Sequence, residues 1–240
     1  MENAAYIALS REVALRRQMD AVANNLANLS TPAFKSQSIL FKEYLAPTPD
    51  GGTVSYVQED KAVRDTSEGP MTATRNPLDL AIHGDGYFVV STRIGPRFTR
   101  MGDFQLDAKG QIVTSDGNPL LNDKSRPIVV PPKSGEIAVA RDGTIQAGKT
   151  KLGKVQLASF EDQQAMQEVS SGVYYTDAAP KPSEDGEIVQ GMIEESNVKG
   201  VVELTRMMEL VRSYQAVQKM LDNESDRQRQ AIDQITGPTS

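Results

Sequence analysis

Four places in the chain carry side chains whose type and spacing could do chemistry. Gly84-Asp85-Gly86 has the outline of a phosphate loop, but a dinucleotide fingerprint needs a further Gly and a following helix. Tyr87-Phe88-Val89-Val90 instead reads as a strand, which makes the glycines a hairpin turn. His83 is the single histidine, so a His-based metal cluster cannot form, and no elbow motif joins it to a Ser and an acid. Asp222 to Asp226, DNESD, lacks the central Gly of a calcium loop and lies in a helical pattern. Without cysteine there is no thiolate nucleophile, disulfide or sulfur-ligated metal. The residues point to no catalytic, cofactor-binding or metal-ligating group, and so to a protein that is not an enzyme.

The fourth place is a run of amides. MDAVANNLANLSTPAFK, Met19 to Lys35, sets Asn24, Asn25 and Asn28 among apolar residues at helical spacing. Asn is a mediocre helix residue because its amide competes for backbone groups. Its value lies where chains come close, since it offers donors and an acceptor without the desolvation cost of a charge.

The elements that hold these residues follow from periodicity. Leu15, Met19, Val22, Leu26 and Leu29 form a stripe at heptad spacing, with Tyr6, Leu9 and Val13 on nearly the opposite face. The helix should stop near Leu29 or Ser30, because Pro32 drives Thr31 toward extended geometry. Near the other end Leu204, Met207, Val211, Tyr214 and Leu221 follow a/d spacing, with Ile232 and Ile235 in phase and Gln218, Ser225 and Gln228 weakening the seam. Ser196 or Asn197 is placed to cap that helix. A helix apolar on two sides is usually surrounded by neighbours.

Between the helices the period shortens to two. Leu78, Leu80 and Ile82 precede the Gly84–Gly86 turn; Phe104 and Leu106 precede a turn at Asp107–Gly110; Asp142-Gly143 marks another, and KLGKVQLASF adds a strand. The predicted fold is α+β: N- and C-terminal coiled-coil-type helices paired around a central all-β domain built from hairpins. Its parts are an N-terminal assembly helix (1–30), an extended connector through Pro47, Pro49 and Gly51-Gly52 (31–68), the β domain (69–170), a returning connector from Ser171 through AAPKPSEDGE (171–195) and a C-terminal assembly helix (196–240).

The totals narrow the partners. The 240 residues carry a net charge of −6 with a pI near 5.0, and no Lys/Arg cluster is interleaved with aromatics, which speaks against nucleic acid. No apolar run approaches the ~20 residues that span a bilayer, so no membrane insertion is expected. Arg11, Glu12, Arg16 and Arg17 interrupt the stretch a signal peptide would need.

Three ordered motifs carry a resemblance. Ala23-Asn24-Asn25-Leu26-Ala27-Asn28 with Thr31, Pro32, Phe34 and Lys35 resembles the N-terminal signature of the bacterial flagellar rod and hook proteins. NPLDLAIHGDGYF, with Pro77, Leu78, Asp79, Gly84 and Gly86, is similar to their central motif, and Ser196-Asn197-Val198 to their C-terminal one. The length, without a large insertion, suits a rod member rather than a hook protein, and the proximal-rod members resemble it most.

The resemblance implies a structural subunit of the basal-body rod, whose terminal helices assemble into an axial drive shaft that transmits torque. Distal-rod members are the near alternative; a peptidoglycan-active β-domain enzyme with helical tails is a distant one, since no convergent carboxylates frame a site. It implies other proximal and distal rod subunits and the flagellar export apparatus as partners, a place in the basal body within the periplasmic space, export without a cleaved signal peptide, and no cofactor. The assembly interface would comprise Leu15, Met19, Val22, Asn24, Asn25, Leu26, Asn28, Leu29, Leu204, Met207, Val211, Tyr214 and Leu221. Ala33 departs from the family, which usually has Gly there. If the position demands positive φ, Ala is strained, which leaves the turn geometry open.

Overall fold

The computed structural model of the chain describes residues 2–47, 53–132, 134–170, 172–183, 185–235 and 237. Pro49, Gly51-Gly52, Ser171 and Glu184 of the two expected connectors, and the side chain of Ile235, lie outside the described residues. The architecture is α+β: a helix near each end and a β-rich region between them. The chain divides into two units, one of Met1–Ala27, Gln37–Arg64 and Lys199–Ser240, the other of Asn28–Ser36 and Asp65–Val198.

The first unit holds α1 (Glu2–Ala27), the hairpin β1 (Gln37–Pro47) and β2 (Thr53–Arg64), and α2 (Gly200–Ile235). The helices run antiparallel, since Asn25 reaches Glu203 while Glu12 reaches Tyr214. Ala8, Leu15, Met19, Val22 and Leu26 of α1 pack against Met207, Leu210, Tyr214, Val217 and Leu221 of α2, each set stepping by threes and fours or their sum. Residues 37–47 and 53–64, expected as connector, pair as the two strands of a hairpin instead. Of the prolines and glycines read as linker, Pro47 is the last residue of β1, paired with Thr53, an end position where Pro is tolerated. Asp60 is an extra residue on β2, because Leu40 faces Lys61 and Phe41 faces Glu59.

Two expected helix limits change. Helix α1 ends at Ala27 and α2 begins at Gly200. Ser196 and Asn197 are not its caps: the Ser196 hydroxyl accepts from Val198 N, and the Asn197 amide is engaged by Ser36, Asp65 and Ser67.

The second unit begins with β3 (Met71–Ala73), β4 (Leu80–His83), β5 (Tyr87–Thr92) and β6 (Gly95–Thr99). Next come β7 (Gln105–Leu106), β8 (Ile112–Val113), β9 (Ile137–Val139), β10 (Thr144–Ala147) and β11 (Thr150–Lys154). The remainder is β12 (Leu157–Ser159), a single 3-10 turn at Gln163–Ala165, β13 (Gln167–Ser170), β14 (Val173–Tyr175), β15 (Lys181–Pro182), β16 (Glu187–Gln190) and β17 (Met192–Glu194). Strands thus occupy much of the expected returning connector as well.

The largest sheet has the order β13-β14-β6-β5-β12-β15. Its strand β5 is buried on both faces: Phe88 and Val90 enter one apolar cluster with Leu80, Ile112 and Ile145, while Tyr87 and Val89 enter another with Phe98, Phe160 and Tyr174. That explains the unbroken apolar run YFVV. The turns at Asp107–Gly110 and Asp142-Gly143 join the pairs β7–β8 and β9–β10. The turn at Gly84–Gly86 does not close a hairpin. Strand β4 pairs with β16 and β5 with β6 and β12, so the glycines carry the chain from one sheet to another. Both have positive φ, 88° and 144°, which is what such a redirection requires.

Candidate assembly interface

Of the residues expected at an interface, Leu15, Met19, Val22 and Leu26 of α1 and Met207, Tyr214 and Leu221 of α2 already pack on one another within the first unit. Leu204 and Val211 do not join them. They are 55% and 38% exposed, and with Val201 (80%) and Met208 (55%) they form a second apolar stripe on α2. Two phases compete on this helix, one through Leu210 and Val217 and one through Val211 and Gln218, and the phase with two good apolar groups meets α1. On α1, Tyr6, Leu9 and Val13 are exposed as their opposite phase demands. Burying a Val, Leu or Met side chain stabilises by about 1.5–3 kcal/mol, so these stripes hold unused driving force.

The three amides separate. Asn25 is 1% exposed, and its Oδ1 accepts from Gln37 N at 2.8 Å while Nδ2 donates to Gln37 O at 2.9 Å and Glu203 Oε2 at 3.1 Å. It clamps the first residue of β1 and the first turn of α2 to α1. Asn24 is exposed on α1. Asn28 belongs to the second unit, where its Oδ1 accepts from the Thr31 hydroxyl at 3.1 Å, and Leu29 beside it is exposed.

In the second unit the end of the N-terminal motif, from Thr31 to Lys35, meets the C-terminal motif. Ala33 N donates to Glu194 O (2.8 Å), Asn197 N to Phe34 O (3.2 Å), and Ser36 N to Asn197 Oδ1 (2.7 Å). Phe34 and Val198 are buried, and Pro32 and Ser196 lie alongside. Ala33 has φ 54°, so the turn adopts the left-handed geometry in spite of its methyl group. In the central motif, Asp79 is buried and accepts from Asn76 Nδ2 (2.8 Å), Pro77 O accepts from Gln190 (2.8 Å), and Leu78 packs on the first apolar cluster.

Where the N- and C-terminal motifs meet sits a charge cluster. The fully buried Glu194 accepts from Lys35 Nζ at 2.5 Å and Arg100 Nε at 2.8 Å. Burial opposes ionisation of Glu194, yet Arg100 and Lys35 outweigh it and hold its carboxyl below the usual range. Burial likewise draws the Lys35 ammonium below an ordinary lysine, against the pull of Glu194. Arg100 and Glu194 carry no sequence signal of this role: Arg100 follows Phe98-Thr99, and Glu194 is one of two adjacent glutamates.

For chemistry the unit offers little. Among the described residues no three His, Cys, Asp or Glu side chains are grouped to hold a metal. His83 is exposed at the end of β4, 3.1 Å from Glu68. A cleft of about 720 Å³ is lined by Asp142, Glu187, Arg141 and Lys181 among others. Hydrogen bonds from the Thr144 backbone and hydroxyl hold Asp142 low, the wrong direction for a proton donor. The carboxyl pushed up is Asp103, by burial first and then by Asp79 and Asp116, and it does not line that cleft.

Three family models match in order: a flagella basal body rod protein model over residues 6–35, the flagellar hook protein FlgE/F/G D1 domain over 81–147, and the flagellar basal body rod FlgEFG protein C-terminal model over 189–234. A flagellar basal-body rod protein FlgF of Caulobacter vibrioides is 38% identical, with 98% of each chain covered. The FlgF of Rhizobium meliloti is 30% identical over 99% of each, and the FlgG of Bacillus subtilis is 28% identical over 92% of this chain and 94% of its own. With a relative at this identity along nearly its whole length, the chain belongs to the flagellar basal-body rod protein family.

Proposed function

We propose that this protein is a structural, non-enzymatic subunit of the bacterial flagellar basal-body rod, most like the proximal-rod members. Its helices, paired as a coiled coil, meet those of neighbouring proximal and distal rod subunits to build an axial shaft that transmits torque. The observation that carries this is the second apolar stripe, Val201, Leu204, Met208 and Val211, left open on a helix whose first stripe is already satisfied. No helix of the described residues is long and apolar enough to cross a membrane. The subunit would reach the periplasmic basal body through the flagellar export apparatus, without a cleaved signal peptide. It would need neither nucleic acid nor membrane insertion nor a cofactor.

Val211→Asp and Leu204→Asp test the reading. Each should leave the monomer's stability within about 0.5 kcal/mol, as surface changes do, while abolishing swimming and rod assembly. Motile cells carrying both changes would refute the interface. A distal-rod role is the second reading, favoured by the FlgG relatives that match most of the chain. Cross-linking within purified basal bodies, followed by identification of the neighbours, separates the two.

A further inference from the structure

Lys35, Arg100 and Glu194 are buried together in the second unit, and both cations pair with the one carboxylate. A buried ion pair rarely stabilises more than apolar packing would, but it tolerates only one arrangement, because losing a partner strands a charge away from water. We propose that Glu194 is the pin of a latch that fastens segments 28–36 and 194–198 to the β core and releases them together, leaving the core folded.

The bonds divide into two sets. One ties the latch to the core: Glu194 Oε2 holds Arg100 Nε, and Arg100 donates to Gly84 O and Gly86 O, both at 3.1 Å, and to Ile82 O at 2.9 Å. Three carbonyls at the end of β4 and its turn thereby anchor one guanidinium, a grip that depends on its planar fork of donors. The other set ties the straps to each other and to residues 67–70, where Pro70 O also accepts from Glu195 N at 2.8 Å. Glu194 Oε1 takes Lys35 Nζ and, at 3.0 Å, Gly69 N; Lys35 also donates to Ser67 O at 2.6 Å. Backbone bonds from Ala33 to Glu194 and from Asn197 to Phe34 complete the set, so one strap cannot leave without disturbing the other. The fit at Gly69 is backbone to backbone: a Cβ there would stand 2.0 Å from Glu195 O.

The core does not depend on these segments. Both buried apolar clusters of the second unit draw all their members from residues 78–188. Opening the latch therefore exposes Phe34, Val198 and polar backbone but removes no side chain from either cluster.

Hydrogen exchange on the purified full chain tests this, comparing the natural protein with Glu194→Gln and Lys35→Met. Glu194→Gln should speed exchange at Ala33, Ser36, Gly69 and Asn197 by on the order of 100-fold, while amides of β5 and β10 keep their rates. Lys35→Met leaves the Arg100–Glu194 pair in place, yet should release Asn197 N–H together with Ser36 N–H. Unchanged strap amides would overturn the latch, as would an equal acceleration throughout the β core, or release of Ser36 without Asn197. A Glu194→Gln chain that does not fold would also overturn it, since the core is held to stand alone. None of these outcomes depends on assembly into a rod.

Discussion

Ala33, Asn25 and Glu194 each answer a question of residue chemistry. Ala33 keeps a left-handed φ of 54° while its methyl is buried. The strain is about 1–2 kcal/mol, but glycine would forgo roughly 0.8 kcal/mol of burial and free the unfolded chain by a similar amount. Ala33→Gly should therefore fall within about 1 kcal/mol of neutral in urea titration, whereas the β-branched Ala33→Val should cost about 2 kcal/mol or more. Asn25 has to be an amide because it accepts from Gln37 N and donates to both Gln37 O and Glu203. Asn25→Ala should cost about 2–4 kcal/mol through the stranded backbone groups. Asn25→Asp should cost more near neutral pH, by setting two carboxylates together, and the difference should shrink in acid. Glu194 sets an acid limit. It faces Lys35 and Arg100, with Glu68 and His83 beyond them. Its folded value lies below its unfolded value near 4.3, so its contribution is complete above that pH and is lost as pH falls through the folded value. Acid titration of the natural protein should show this loss below about pH 4, and Glu194→Gln should lack it.

At the scale of the element, α2 carries two usable apolar phases, and position alone tells them apart. Leu210 is buried against α1 while the adjacent Val211 is not. Leu210→Ala should cost the monomer about 2–4 kcal/mol. Val211→Ala should cost it less than about 0.5 kcal/mol and register only when subunits assemble. Thermal melts of the monomer and sedimentation of assemblies would distinguish them. The hairpin β1–β2 reaches about 35 Å as a sheet of two strands, a size that is marginal by itself. Its support is α1, through Asn25 at its root and an Arg17–Glu59 contact at 3.6 Å. Loss of the Asn25 clamp should accordingly speed amide exchange along β1 and β2 before it affects the second unit.

At the scale of the whole molecule, two units with separate cores should open separately. The second has two apolar clusters, while the first has one seam between helices that each leave a second apolar stripe exposed. In dilute monomer a brief protease treatment should remove α1 and α2 and leave a fragment from the second unit, whose protection exceeds that of the helices. Helices as protected as β5 would mean that the first unit is self-sufficient and needs no neighbours. The α+β class, the two terminal helices and most turns were legible in the sequence, because spacings of 3.6 and 2 report local geometry directly. So was the family, to which the three motifs pointed. Periodicity lists the faces a helix could bury but not the one a partner selects, so Leu204 and Val211 shared a predicted seam that runs instead through Leu210 and Val217. Glycines announce a turn but not the pairing of the strands beside it, so Gly84–Gly86 joins two sheets where a hairpin was expected. The charge cluster lay furthest from reach. Its members are separated by 94 and 159 residues, and only folding brings them together, where burial makes each charge dependent on the others.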